Sequence, residues 1–175
     1  MITVIAGGMY SEKTTELQRR GKRLKRAGKR VVFIKPEMDN RYSDNEVVTH
    51  DGNSVESINM PTTDPEKLFE IANEYDVFCI DEIQFFDPKI VEILNSFACH
   101  GREVIVAGLD LAHDGSLFTV TASLMGYAET VVKINAVCAT CGDDAWITEK
   151  VGGSGELVEL GSDEIYKPIC RRCYS

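Results

Sequence analysis

The sequence predicts an α/β fold: a P-loop NTPase-like parallel sheet followed by a C-terminal zinc ribbon. Three observations predict it. The β-branched run Ile2–Ala6 leads into the glycine turn Gly7-Gly8-Met9-Tyr10-Ser11-Glu12-Lys13-Thr14 and then a helix-forming stretch over residues 15–27. Strand-like apolar runs then alternate with helical stretches as far as residue 134, the pattern of a parallel sheet covered on both faces. From Ala136 the pattern changes to two C-x-x-C knuckles, Cys138/Cys141 and Cys170/Cys173, separated by short strands and glycine turns.

The elements follow in chain order. Residues 31–34 form the second strand, stopped by Lys35-Pro36 because proline cannot continue a ladder. Residues 38–45 are a polar loop. Residues 47–49 are a short edge strand before the turn Asp51-Gly52-Asn53. A helix over 64–75 starts with Asp64 as cap and Pro65 where no N–H is needed. Val77–Ile80 is a strand, Asp87-Pro88 opens a helix running to His100, and 104–107 is a strand. A helix over 119–129 and a strand over 131–134 complete the first domain. The boundary falls near residue 135, giving a nucleotide-binding domain over 1–135 and a zinc domain over 136–175. There is no internal repeat.

The chemistry lies in three places. Strand, glycine turn, Lys-Thr and helix together form the setting of a phosphate-binding loop. Backbone N–H groups and the helix N-terminus face a polyphosphate, Lys13 reaches its β/γ groups, and the Thr14 hydroxyl ligates Mg²⁺. A strand-to-helix turn with no phosphate role is the other reading. Asp81-Glu82 ends the run Val77–Ile80, where parallel sheets gather ligands. There Asp81 suits Mg²⁺ and Glu82 a general base, unless they are only a strand-end charge pair. Finally, four thiols in two knuckles suit a tetrahedral Zn²⁺ at about 2.3 Å per ligand. Two unrelated thiol pairs or a redox C-x-x-C are the alternatives. A four-thiolate zinc has no open position, so it is structural.

Composition sets the surroundings. The 175 residues are enough for one real core and a small appendage. Met1 leads into the first strand without a basic, cleavable leader, so a reducing, cytoplasmic location is expected. No run has the length of a membrane helix, so no membrane partner is expected. The net charge of −9 argues against nucleic acid as a partner. Residues 1–35 nevertheless hold ten Lys/Arg, among them Arg19, Arg20, Arg23 and Arg26 on the first helix. That helix is read as a solvated face or subunit contact, with attraction of polyphosphate as the alternative.

Five stretches together resemble one family. They are Gly7 to Leu17; Lys35-Pro36 with Asp39, Arg41 and Tyr42; Asp81-Glu82-Ile83-Gln84-Phe85-Phe86; Gly108-Leu109-Asp110; and Gly161 to Tyr174. In this order, with Ala136-Val137-Cys138, they are similar to the type II thymidine kinases, the zinc-containing, cytosolic thymidine kinase-like enzymes. The resemblance covers the whole chain. It implies transfer of the ATP γ-phosphate to the 5′-hydroxyl of thymidine or deoxyuridine, in a homotetramer. Glu82 matches the carboxylate that takes the hydroxyl proton, with Lys13 as the catalytic cation. Residues 7–14, Asp39, Arg41, Asp81, Glu82, Ile83 and Gln84 match the nucleotide site. Met9, Phe85, Leu109, His113, Phe118 and Tyr166 match the thymine pocket. The loop over residues 151–166, with Gly161 and Ser162, resembles a lasso that closes over the base.

Two departures stand out. Many members carry an aromatic residue where this chain has His113. More consequentially, Glu12 replaces a P-loop glycine, adding a Cβ and a negative charge beside a polyanion. Glu12 then either swings outward or pairs with Arg19 or Lys13. If it hinders ATP, the chain is a nucleotide- or nucleoside-binding protein of the same fold with impaired turnover.

Overall fold

The computed structural model describes residues 1–37, 46–48, 54–152 and 165–174. Six parallel strands form the main sheet: β1 (Ile2–Ala6), β2 (Val31–Pro36), β5 (Ile58–Met60), β6 (Val77–Ile80), β7 (Glu103–Gly108) and β8 (Thr130–Lys133). Their order across the sheet is β5-β2-β6-β7-β1-β8. The register is in step, with Val4 beside Val106 and Val131, and Ile80 beside Val106 and Ile34.

Helices lie on both faces, because the inner strands are apolar on both. One face presents Ile2, Val4, Val32, Ile34, Phe78, Ile80, Val104 and Val106. It packs on α3 (Ile90–Cys99) and α4 (Thr119–Tyr127) through Ile90, Leu94, Phe97, Val120 and Leu124. The other face presents Ile5, Phe33, Val77, Cys79, Ile105 and Ala107 against Leu17 of α1 (Lys13–Arg26). Each fully buried Leu, Ile or Phe in these layers is worth about 1.5–3 kcal/mol in water-to-core transfer. The three-layer α/β expectation holds.

Several boundaries differ from the sequence reading. The helix expected over 64–75 is a short 3₁₀ turn, Pro65–Lys67, running into a single α turn, α2 (Leu68–Ile71). The chain then breaks off because Asp76 is drawn to Arg30: its N–H bonds Arg30 O at 2.9 Å, and its carboxylate takes the Arg30 backbone N–H and guanidinium. The helix expected to open at Asp87-Pro88 begins at Ile90, and the Asp87 carboxylate holds the Lys89 N–H at 2.9 Å just before it. β2 continues through Pro36 because β5 pairs beside it, Pro36 opposite Met60. The edge strand expected over 47–49 is β3 (Glu46–Val48), paired antiparallel with β4 (Ser54–Glu56) outside the main sheet.

Beyond residue 135 lies a third cluster: Ala136, Cys138, Ala145, Ile147, Ile169 and Cys170. Its framework is the antiparallel pair β9 (Ile147–Lys150) and β10 (Tyr166–Ile169). The Arg171 guanidinium lies 3.9 Å from the centre of the Trp146 ring, and Tyr174 meets that ring edge-on. Tyr10 and Leu111 of the first segment pack against the cluster.

Among the described residues no helix is long and apolar enough to cross a membrane.

Candidate active site

Strand order builds the site. β1 and β6 are separated by β7 alone, so the loop after β1 and the acidic pair after β6 face each other over the end of β7. The bridge is direct: the Thr14 hydroxyl donates to Asp81 Oδ2 at 2.8 Å.

The loop is tightly folded. Gly8 O accepts from Ser11 Oγ at 2.8 Å and from Lys13 Nζ at 2.6 Å, which draws the lysine back over the loop. The Met9 N–H donates to Thr148 Oγ1 at 2.9 Å, fastening the loop to β9. Gly7 is buried, and a Cβ there would stand 2.1 Å from the backbone oxygen of Ile134. Neither backbone can move far, so Gly7→Ala is expected to cost about 1–3 kcal/mol. A thermal melt should show this as a loss of roughly 2–12 °C, at 2–4 °C per kcal/mol for a chain of this size.

Glu12 sits at the N-cap of α1 with φ 62 and ψ 29, the left-handed conformation that a side chain makes costly. Its side chain is exposed. It takes neither partner considered for it in the sequence reading. Arg19 and Arg20 close instead on Glu16, at 2.6 and 2.7 Å, and hold that carboxyl down at about 2. Lys13 goes to Gly8 O. Of the alternatives, the outward swing is the one found.

The charges are concentrated. Burial lowers the Lys13 pKa, opposed by the carboxylates of Glu82, Asp81 and Asp110 around it. Burial, with Glu82 next to it, pushes Asp81 up to about 7, while the Thr14 hydroxyl and the Glu82 N–H pull the other way. Glu82 lies left-handed at φ 49, ψ 44, its N–H on Asp81 Oδ1 at 3.0 Å. Its Oε2 accepts from Gln84 Nε2, and Gln84 Oε1 in turn accepts the Leu109 N–H at 3.1 Å. Backbone strain of this kind is characteristic of functional sites.

Of the pocket residues expected from the sequence, Leu109 follows β7, Phe85 ends the 3₁₀ turn Ile83–Phe85, and Tyr166 is buried at the start of β10. His113 is half-buried, and its Nε2 is buried without a hydrogen-bond partner among the described residues. Phe118 is the N-cap of α4, its N–H on Asp110 O at 3.0 Å. Asp39, Arg41, Gly161 and Ser162, with most of the lasso, lie outside the described residues.

Two residues of the site escaped the sequence reading. Thr148 is one polar residue in a short strand, and only its bond to Met9 N–H reveals it. Asp110 is buried, with Oδ2 2.8 Å from Lys133 Nζ and Oδ1 unpartnered among the described residues. Its place after Gly108-Leu109 marked a motif without suggesting a third carboxylate near Lys13.

The sulfurs of Cys138, Cys141, Cys170 and Cys173 lie within 4.8 Å of one another, those of Cys141 and Cys170 at 3.6 Å. Tetrahedral zinc with 2.3 Å bonds sets its sulfurs about 3.8 Å apart, so this cluster fits the ion. Arg172 reaches both Cys141 Sγ and the Asp143 carboxylate. Burial raises Cys138, but backbone N–H donors from Cys170, Thr140 and Cys141 outweigh it and bring the thiol down to about 6. Hydrogen bonds with Cys141 and Cys170 push Cys173 up to about 12.

The thymidine kinase family profile matches residues 1–174. The thymidine kinase of Bacteroides fragilis is 42% identical over 173 residues, spanning 99% of this chain and 86% of that protein. The Bacteroides thetaiotaomicron thymidine kinase is 41% identical with the same coverage. That of Rhodothermus sp. is 42% identical over 99% of this chain and 80% of its own length. Among solved structures, the genome packaging NTPase B204 of Sulfolobus turreted icosahedral virus 2, in complex with AMPPCP, is 18% identical, with a TM-score of 0.49 over 75% of this chain and 74% of that one. An overlay that loose carries no argument about this chain.

Proposed function

This chain belongs to the thymidine kinase family and is a nucleoside kinase, and on that premise we propose how its residues perform the transfer. The γ-phosphoryl of ATP passes to the 5′-hydroxyl of thymidine or deoxyuridine. The observation that carries this reading is the Thr14–Asp81 bond, which sets phosphate loop and acidic pair face to face.

The loop N–H groups and Lys13 hold the triphosphate. Thr14 and Asp81 offer the hard oxygen donors Mg²⁺ prefers, and when bound the ion neutralises charge on the β- and γ-phosphates. Glu82 takes the proton from the 5′-hydroxyl as its oxygen bonds to the γ-phosphorus and the bond to the departing ADP oxygen breaks. Catalysis by such a site is mostly positioning and charge neutralisation. Met9, Phe85, Leu109, His113, Phe118 and Tyr166 line the thymine pocket, and the lasso over 151–166, with Gly161 and Ser162, closes it. Asp39 and Arg41 stand near the phosphates. Zinc on the four cysteines is structural and holds both ends of the lasso. The assembly is a cytoplasmic homotetramer acting on small molecules rather than nucleic acid.

A nucleoside panel tests the reading. Thymidine and deoxyuridine should be phosphorylated and deoxycytidine should not, measured as nucleoside monophosphate formed. Phosphorylation of deoxycytidine in preference to thymidine would overturn the proposed specificity.

Glu12 favours a qualification: ATP binding is weakened more than nucleoside binding. Glu12→Gly removes a left-handed side-chain cost of about 1–2 kcal/mol. It also removes a repulsion that water screens to about 1 kcal/mol at 4 Å. ATP affinity should rise by up to about fivefold through the screened repulsion alone, with thymidine affinity unchanged. The left-handed cost is already present in the free loop, so its removal shows as a higher melting temperature instead. Glu12→Gln should give the affinity gain without the stability gain. Titrations of ATP and thymidine, with thermal melts of the three proteins, separate the two parts. Equal ATP affinity in wild type and Glu12→Gly would show that the loop tolerates Glu12.

A further inference from the structure

Glu82 is fixed at more than its backbone. Gln84 lies on the 3₁₀ turn just after it and is 8% exposed. Its amide spans two partners, the Glu82 carboxylate and the backbone N–H of Leu109. Those partners dictate the orientation of the amide. The Leu109 N–H can only donate, so Oε1 must face it. Nε2 then faces Glu82, whose Oε2 accepts from it. The amide also lies against bare backbone: a Cβ on Gly108 would come within 2.7 Å of Gln84 Oε1 and 2.6 Å of Ile83 Cγ2. The absence of a side chain at residue 108 is what lets the turn after β6 close on the end of β7.

We propose that Gln84 is the positioning residue of the catalytic carboxylate, locking Glu82 through Oε2 and referring it to the wall of the base pocket at Leu109. The proposal rests on Glu82 being the base. With Oε2 engaged, Oε1 accepts no hydrogen bond among the described residues and is the oxygen left to receive the 5′-hydroxyl proton. Gln84 holds the proton acceptor and the pocket wall in one frame, so a nucleoside seated against Leu109 meets a carboxylate already turned toward it. A carboxylate free to rotate would lose that near-attack geometry, the term that positioning supplies to a transfer reaction.

The test is a double-mutant cycle in the full-length enzyme, with kcat and KM measured for thymidine and ATP. Gln84→Met keeps the volume and loses both hydrogen bonds. Gln84→Glu keeps the volume and can keep the Leu109 bond, but it sets carboxylate against carboxylate. Each should lower kcat by about 10- to 100-fold, with both KM values within about twofold, the signature of an interaction realised in the transition state. In a Glu82→Gln background the same Gln84→Met change should cost less than about threefold, because residues acting as a unit are not additive. A Gln84→Met enzyme with kcat within twofold of wild type would overturn the proposal, as would an equal loss in both backgrounds. If Gln84→Met does not fold, full activity in Gln84→Glu overturns it on its own. If Glu82→Gln alone leaves turnover unchanged, the reading of Glu82 as base falls first, and the assignment of Gln84 falls with it.

Discussion

Glu82→Gln is expected to lower turnover by about a hundredfold or more while leaving nucleoside binding in place, the usual scale for loss of a general base. The substitution preserves shape and removes only the ability to take a proton. The surrounding structure should tolerate it. The residue is half-buried, its backbone is held by Asp81 Oδ1, and its side chain meets the Gln84 Nε2 donor, which an amide oxygen at position 82 can accept as the carboxylate does. The left-handed backbone, φ 49, is unchanged by the substitution, so any fold penalty is small. Single-turnover phosphorylation under saturating thymidine and ATP reads the effect directly. Turnover within a few-fold of wild type in a folded Glu82→Gln protein would exclude Glu82 as the base.

Cys170→Ser is expected to strip the metal and unfold the C-terminal unit. Among the described residues the buried hydrophobic cluster there has six members, two of them alanines and two cysteines. A core that small does not fold alone, whereas structural zinc supplies an apparent 10–16 kcal/mol of binding free energy to units of this kind. Cys170 is buried and its sulfur lies 3.6 Å from that of Cys141, so serine removes a ligand at the centre of the cluster. Metal analysis should find about one zinc per chain in wild type and a small fraction of that in the variant. Nucleoside binding should fail with it, because Thr148 holds Met9 of the phosphate loop from this unit. Absence of zinc from the wild type, or an unchanged melting curve in Cys170→Ser, would contradict the assignment.

The site was legible in the sequence wherever the chemistry is local. Gly7 to Thr14 form one turn, Asp81-Glu82 one strand end, and each cysteine pair one knuckle. Adjacent residues announce such features. Alternating apolar runs likewise announced the sheet and its two covered faces. What could not be read depends on pairings across the chain. The helix expected to reach Tyr75 stops early because Arg30, forty-six residues upstream, claims Asp76. β5 is three residues long, with Ile58 36% exposed, and owes its place to pairing with β2. Thr148 joins the loop from 139 residues away, and Gln84 acquires its second partner only when β7 is laid beside β6. The conformation of Glu12 was foreseeable from the motif, since a P-loop glycine is replaced. Its failure to pair with Arg19 was not, because Arg19 and Arg20 sit equally well for Glu16 on the helix surface.

The groups brought together over the end of β7 are expected to pass a phosphoryl group from ATP to a nucleoside. The most direct measurement supplies ATP labelled at the γ-phosphate, Mg²⁺ and thymidine to the purified protein and follows the label. The label should appear as thymidine 5′-monophosphate, at a rate that falls about a hundredfold or more in Glu82→Gln. Label released only as inorganic phosphate, in wild type and Glu12→Gly alike, would contradict it.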